Sequence, residues 1–243
     1  MLLHAFAAGT VIMIVGTLLL AAVPFFDLVS VTDPNSTKLA LYLIPQAIPL
    51  SIPVGLTFGI LWGLGRVAAS YPARTLLLLV AVISSVVSFA MLAWVVPVSN
   101  QAFRVSIAGR PVSKGANELT LRELGQLLEP GAHEPMAVSA PAGIRSLALN
   151  YHTRWALASA PSVLAFFAIA LTSGRKRGRI VLLLAGSLAI LGYCLVMYTA
   201  RGLGLNRTLS AFAAAWAPNA ALLILSVAVM KLSSPRTEAI ARG

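Results

Sequence analysis

Asn117-Glu118-Leu119-Thr120-Leu121-Arg122-Glu123-Leu124-Gly125-Gln126-Leu127-Leu128-Glu129 lies within residues 98–150, the one long run of this chain too polar for a bilayer, with about three apolar spans on either side. The chain therefore divides into helices at residues 1–97, a bridge at 98–150, helices at 151–232 and a basic tail at 233–243. Inside the bridge, leucines recur at helical spacing and Thr120 is followed three residues later by Glu123, the signature of a capping box. A short amphipathic helix near residues 118–128 is expected, resting on the membrane surface. Gly109-Arg110-Pro111, Gly115, Pro130-Gly131, Pro135 and Pro141-Ala142-Gly143 interrupt the backbone too often for another long element.

Composition agrees with a membrane protein. The 243 residues are 58% hydrophobic and only 10% charged, with a mean hydropathy of +0.88, far from globular averages. A net charge of +11 would suit nucleic acid, but the basic residues gather in short loops and the tail on one side, the pattern that membrane insertion imposes. Nucleic acid is not an expected partner. The single cysteine, Cys194, permits no intrachain disulfide and no metal cluster, and in an apolar span it acts as a small buried hydrophobe.

Hydropathy places six spans near residues 5–26, 39–65, 75–98, 151–172, 180–200 and 209–230. The first lacks a basic leader region, so it is expected to be an uncleaved helix. In the second, Pro45, Pro49 and Pro53 fall four apart on one face, each removing a backbone donor and favouring a kink. Ser84, Ser85 and Ser88 offer small polar packing positions in the third. Arg66, Arg74, Arg175, Lys176, Arg177, Arg179, Lys231, Arg236 and Arg242 lie on one side, against Lys38, Arg201 and Arg207 in the opposite short loops. The positive-inside rule then puts both termini in the cytoplasm and the bridge outside. The fold class is an all-α polytopic membrane protein with six transmembrane helices, three on each side of a short external insert.

The chemistry that is missing narrows the function. Apart from Arg154, at the start of the fourth span, no Asp, Glu, Lys or Arg falls within the spans, which argues against ion-coupled transport. No metal-ligand spacing, phosphate-binding loop or nucleophile elbow occurs, so no catalytic, cofactor or metal site is expected. His4, His133 and His152 are scattered singly, and Glu118, Glu123, Glu129 and Glu134 suggest a solvated face.

The run Pro45-Gln46-Ala47-Ile48-Pro49-Leu50-Ser51-Ile52-Pro53 through Leu64-Gly65-Arg66, the exit Val96-Pro97-Val98-Ser99-Asn100, the Leu121 to Leu124 helix, Tyr151 to Trp155, and Ala214-Ala215-Trp216-Ala217-Pro218-Asn219 together resemble the LptF/LptG permeases of lipopolysaccharide export. The resemblance implies a permease subunit in a bacterial inner membrane. It would pair with a second permease of this type or with its own copy, draw energy from a separate cytoplasmic ATPase, and move lipopolysaccharide or a related anionic lipid. Three departures accompany it. The periplasmic β-jellyroll expected between the third and fourth spans has no counterpart, and the cytoplasmic coupling helix shrinks to residues 67–73 without its acidic residue. The chain also opens on Met1-Leu2-Leu3-His4 rather than a basic interfacial helix.

Within this resemblance, Arg104, Arg110, Lys114, Arg122, Arg145 and Arg154 either hold the phosphates of an anionic lipid or anchor the helices by snorkelling. Arg66, Ser70, Tyr71 and Arg74 form the loop that would face the ATPase. Arg175 to Arg179 act as a topology signal or contact the ATPase or anionic lipid. Pro45, Pro49, Pro53, Pro97, Trp216, Pro218 and Asn219 are the motif's packing residues, with Asn219 also suited to backbone groups freed by Pro218. The alternative to transport is a non-transporting accessory or scaffold protein derived from such a permease.

Overall fold

The computed structural model describes residues 9, 11–12, 15–16, 36–64, 71–108, 114–129, 143–173 and 178–233. These residues are all helical or in turns, with no strand among them. Helix α1 is Ser36–Leu64, α2 is Tyr71–Ala90, a π-helical turn at Met91–Val95 leads into α3 at Val96–Ala108, and α4 is Leu121–Leu128. Three long helices follow, α5 at Ile144–Thr172, α6 at Arg179–Leu205 and α7 at Ala211–Ser233. Ile44–Leu64, Arg74–Ala108, Ile144–Thr172, Ile180–Leu205 and Ala211–Ser233 are each long and apolar enough to cross a membrane. The chain is a multi-pass membrane protein. The span expected at residues 5–26 lies outside the described residues except at Gly9, Val11, Ile12, Val15 and Gly16, which are helical.

Helix α5 is the axis of the bundle, packing most extensively against α7, α1 and α2. Its apolar residues run round its whole circumference, and Ala158, Ala160, Ala165, Ala168 and Ala170 are all buried. Small side chains let the neighbouring backbones come close, which is how helices gain dispersion contact where lipid removes the hydrophobic driving force. Gly55 and Gly59 serve the same purpose in α1. A Cβ on Gly9 would come within 2.9 Å of the Gly55 carbonyl oxygen, and one on Gly16 within 3.8 Å of Ser51 Cβ. Gly9 meets Gly55 and Gly59 while Gly16 meets Ser51, so the chain at Gly9 and Gly16 runs antiparallel to α1.

Polar side chains stitch the helices around their prolines. Thr57 Oγ1 donates to the Pro53 carbonyl at 2.6 Å, while Ser99 Oγ donates to the Tyr42 carbonyl at 2.6 Å. Pro161 interrupts α5, and in the next residue the Ser162 N–H donates to Ser85 Oγ at 3.2 Å. The two hydroxyls share a further bond of 2.8 Å. Ser85 thus packs as the sequence suggests. Cys194 does not, because it is exposed on α6.

Three helices are longer than hydropathy alone predicts. Residues 98–108 continue as α3 because nothing after Pro97 breaks the helix until Gly109, and α5 begins at Ile144, directly after Gly143, seven residues before the expected Tyr151. A hydrocarbon core of about 30 Å is crossed by about 20 residues at 1.5 Å each. Counting from Arg74, that distance ends at Trp94; counting back from Thr172, it ends at His152, about one turn beyond Trp155; counting from Ile180, it ends at Ala200, next to Arg201. Phe89 lies 4.4 Å from Trp155 and 5.9 Å from Trp94 between ring centroids, so independent counts agree on one level, where an aromatic belt belongs. Beyond that level α3, the start of α5 and α4 project together as a collar. Helix α6 also exceeds its expected end, running through Gly202 and Gly204 to Leu205, so Arg201 is helical rather than part of a turn.

Candidate functional site

The collar is built around Arg154. Placed ten residues into α5 and only 9% exposed, its guanidinium donates to the backbone carbonyl of Leu119 at 2.6 Å, of Asn117 at 3.3 Å and of Ala116 at 3.5 Å. The planar fork of an arginine suits such convergent carbonyls in a way that a lysine cannot match. Arg104 pairs with Glu118 at 2.7 Å, whose other carboxylate oxygen accepts the Gly115 N–H at 2.8 Å. Gln46 donates to Asn100 Oδ1, and Asn100 Nδ2 donates onward to the Asn117 carbonyl at 3.2 Å. Helices α3 and α5 therefore hold residues 114–119 directly, and α1 holds them through Asn100.

Helix α4 follows from this anchor. Thr120 Oγ1 accepts the Glu123 N–H at 3.3 Å, and Glu123 accepts the Thr120 N–H at 2.7 Å, which completes the capping box expected from the sequence. Lys114 closes on the other oxygen of Glu123 at 2.6 Å. Burial raises the Glu123 carboxyl pKa, but the bonds from Lys114 and Thr120 outweigh it and leave the group below its ordinary value. Leu124 is fully buried and packs with Leu119, Leu147 and Tyr151, leaving Arg122, Gln126 and Glu129 exposed. The apolar face thus rests on α5 rather than on the membrane. Glu118 and Glu123 likewise belong to ion pairs and not to a solvated face.

Of the six cations suggested as phosphate contacts, the collar gathers Arg104, Lys114 and Arg154. Arg145 stands apart, donating to the carbonyls of Gly204 at 2.6 Å and of Leu209, so it fastens the turn between α6 and α7. Arg122 is exposed, and Arg110 lies outside the described residues. In the suggested ATPase-facing loop, Arg66 and Ser70 are outside them too; Tyr71 opens α2, and Arg74 is half-buried in its first turn.

Deeper in the bundle, Asn219 is 2% exposed and joins three helices. Its Oδ1 accepts the Tyr193 hydroxyl at 2.9 Å, and its Nδ2 donates to the Ala156 carbonyl at 2.8 Å and to Ser159 Oγ at 2.9 Å. The carbonyl it satisfies is on α5, whereas the one freed by Pro218 would be that of Ala214 on α7 itself. Pro49, Pro53, Pro97 and Pro218 are buried, and Pro45 and Trp216 are half-buried. Tyr193 went unnoticed in the sequence, yet a tyrosine at mid-span, away from both interfaces, needs a hydrogen-bond partner. A cavity of about 70 Å³ opens beside this network, lined by Leu149, Leu157, Tyr193, Met197, Arg201 and Ala215 among others. Among the described residues no group of His, Cys, Asp or Glu is arranged to hold a metal ion.

The family model described as Lipopolysaccharide export system permease LptF/LptG matches residues 108–232. That range takes in the collar beyond α3 and all of α4 to α6, and includes Leu121 to Leu124, Tyr151 to Trp155 and Trp216 to Asn219; the proline-rich run of α1 precedes it. No curated protein matches the chain.

Proposed function

Because the chain belongs to the LptF/LptG family of lipopolysaccharide export permeases, we propose that it is one permease subunit of an exporter that lifts lipopolysaccharide or a related anionic lipid out of a bacterial inner membrane. A second permease of this type, or another copy of the chain, completes the pathway, and a separate cytoplasmic ATPase supplies the energy. The chain itself hydrolyses no ATP. Six spans, with both termini in the cytoplasm and the collar outside, fit the one-sided distribution of lysine and arginine in the short loops.

The observation that carries this reading is the family match over the whole C-terminal three-helix unit. Helix α6 within it turns an apolar stripe outward, with Leu184, Leu188, Leu191 and Leu195 each more than half exposed. Such a face, together with the first span, suits the wall of a lipid cavity that narrows when the ATPase closes. The collar stands between the third and fourth spans, where the family's jellyroll is expected, so lipid leaving this cavity passes to the partner's soluble domain.

One observation favours a scaffold instead: Arg104, Lys114, Arg145 and Arg154 are engaged by protein groups. Affinity purification of the tagged chain in mild detergent, with identification of proteins and lipids, separates the two. Recovery of an ATPase with a permease partner and lipopolysaccharide supports export; recovery of the chain alone, under gentle extraction, overturns it.

A further inference from the structure

Helices α5, α6 and α7 enclose the cavity of about 70 Å³ described above. Its deep end is made by Tyr193 and Pro218, both buried, its outer end is closed by Ala214 and Ala215 near Gly204, and its exposed side is formed by Tyr198 and Arg201. Arg201 lies eight residues from Tyr193 along α6, so the two are roughly 12 Å apart along the membrane normal. Arg201 stands at the level of Trp94 and Trp155, the boundary with the headgroups, and the walls below it are apolar. The Arg201 guanidinium makes one long bond, 3.4 Å to Asn150 Oδ1, in contrast to the committed forks of Arg145 and Arg154. A cation at headgroup depth over an apolar cleft is complementary in charge and in polarity to a lipid anion.

We propose that the α5–α6–α7 cleft seats a few methylenes of one acyl chain of an anionic phospholipid from the leaflet on the α4 side, with Arg201 holding its phosphate. The site lies within a single subunit and is separate from a transport path along the exposed stripe of α6. Thr153, which also lines the cleft, adds a hydroxyl between Arg201 and the apolar wall. The bound lipid fills the gap that α5, α6 and α7 leave below their outer ends, where Gly204 and Ala214 already pack closely.

The test is native mass spectrometry of the full chain in mild detergent, titrated with dioleoyl phosphatidylglycerol and dioleoyl phosphatidylcholine in equal amounts. One phosphatidylglycerol is retained per chain, with a preference of about tenfold, the scale of a single charge-assisted contact. Arg201→Gln abolishes the preference, while Lys231→Gln, a charge removed from the opposite end of α7, leaves it intact. Glycerol 3-phosphate, which offers the phosphate without an acyl chain, competes poorly. Leu157→Trp fills the cleft and lowers retention of both long-chain lipids. Unchanged preference in Arg201→Gln, an equal loss in Lys231→Gln, or full competition by glycerol 3-phosphate would each overturn the site. None of these readouts needs an ATPase or a permease partner, so their failure leaves the export reading standing.

Discussion

Replacing Arg154 with methionine removes the guanidinium while keeping a side chain of similar length in α5. The bond to the Leu119 carbonyl, at 2.6 Å, is short and charge-assisted, a class that contributes about 1.5–3 kcal/mol. The contacts to Asn117 and Ala116, at 3.3 and 3.5 Å, add less, because a loop released at the membrane surface recovers water for those carbonyls. A local loss of roughly 2–4 kcal/mol follows, which speeds opening of residues 114–129 by about thirtyfold to several hundredfold. Hydrogen exchange on the detergent-solubilised chain reads this directly. The amides of 114–129 exchange faster in Arg154→Met, those of α5 below Arg154 and of α7 keep their protection, and Arg154→Lys recovers only part of the loss. Arg122→Met, which removes an exposed charge from the same collar, changes nothing. Unaltered exchange in Arg154→Met, or an equal increase in Arg122→Met, would refute the claim that Arg154 pins the collar.

Asn219→Leu strands the Tyr193 hydroxyl in the bundle and removes the ties to Ala156 and Ser159, costing about 2–3 kcal/mol and lowering the thermal midpoint in detergent; Tyr193→Phe costs about 1 kcal/mol, since only one bond is lost. Glu123 has a folded pKa below its unfolded one, so its contribution is complete at neutral pH and fades as pH falls below about 4.5, through the folded value. Protease sensitivity of residues 114–129 therefore rises in acid for the wild type and is flatter with pH in Glu123→Gln. Gly55→Leu, at the point where a Cβ on Gly9 would already be 2.9 Å from the Gly55 carbonyl oxygen, wedges Gly9 away from α1 and lowers the thermal midpoint, whereas Gly192→Leu, on an open face of α6, is tolerated.

Hydropathy made the transmembrane part of this fold legible, because a long uncharged run has one stable solution in lipid. It failed at the outer edge, where residues 98–108 and 144–150 are polar enough to look like a bridge yet contain nothing to stop a helix. The same blindness hid the seat of α4: an amphipathic helix announces an apolar face, but not whether lipid or Leu147 and Tyr151 will cover it. Thr120 and Glu123 were readable because a capping box is local. Arg154 was visible as an interfacial cation, while its partners at Ala116, Asn117 and Leu119 were not, since backbone carbonyls more than thirty residues away leave no trace in residue type. Arg201 was assigned to a turn because Gly202 and Gly204 follow it, yet packing against the neighbouring helices outweighs the modest helix penalty of glycine.

The π-helical turn at Met91–Val95 carries a consequence for how this protein tolerates change in length. There the Val96 N–H reaches back five residues to the Met91 carbonyl, and the wider turn gives the Pro97 ring room against the carbonyl of Ala93. Before the turn, α2 packs against α5; after it, α3 packs against α1. One residue of an α-helix is worth about 100° of rotation. Deleting a single residue between 91 and 95 would restore a regular helix and swing Ser99, Asn100 and Arg104 off α1 and the collar in one movement, without altering any residue that makes those contacts. The extra residue is in effect the key that sets the heading of everything above the membrane, so the third span is the place where a one-residue change in length would be felt at the greatest distance.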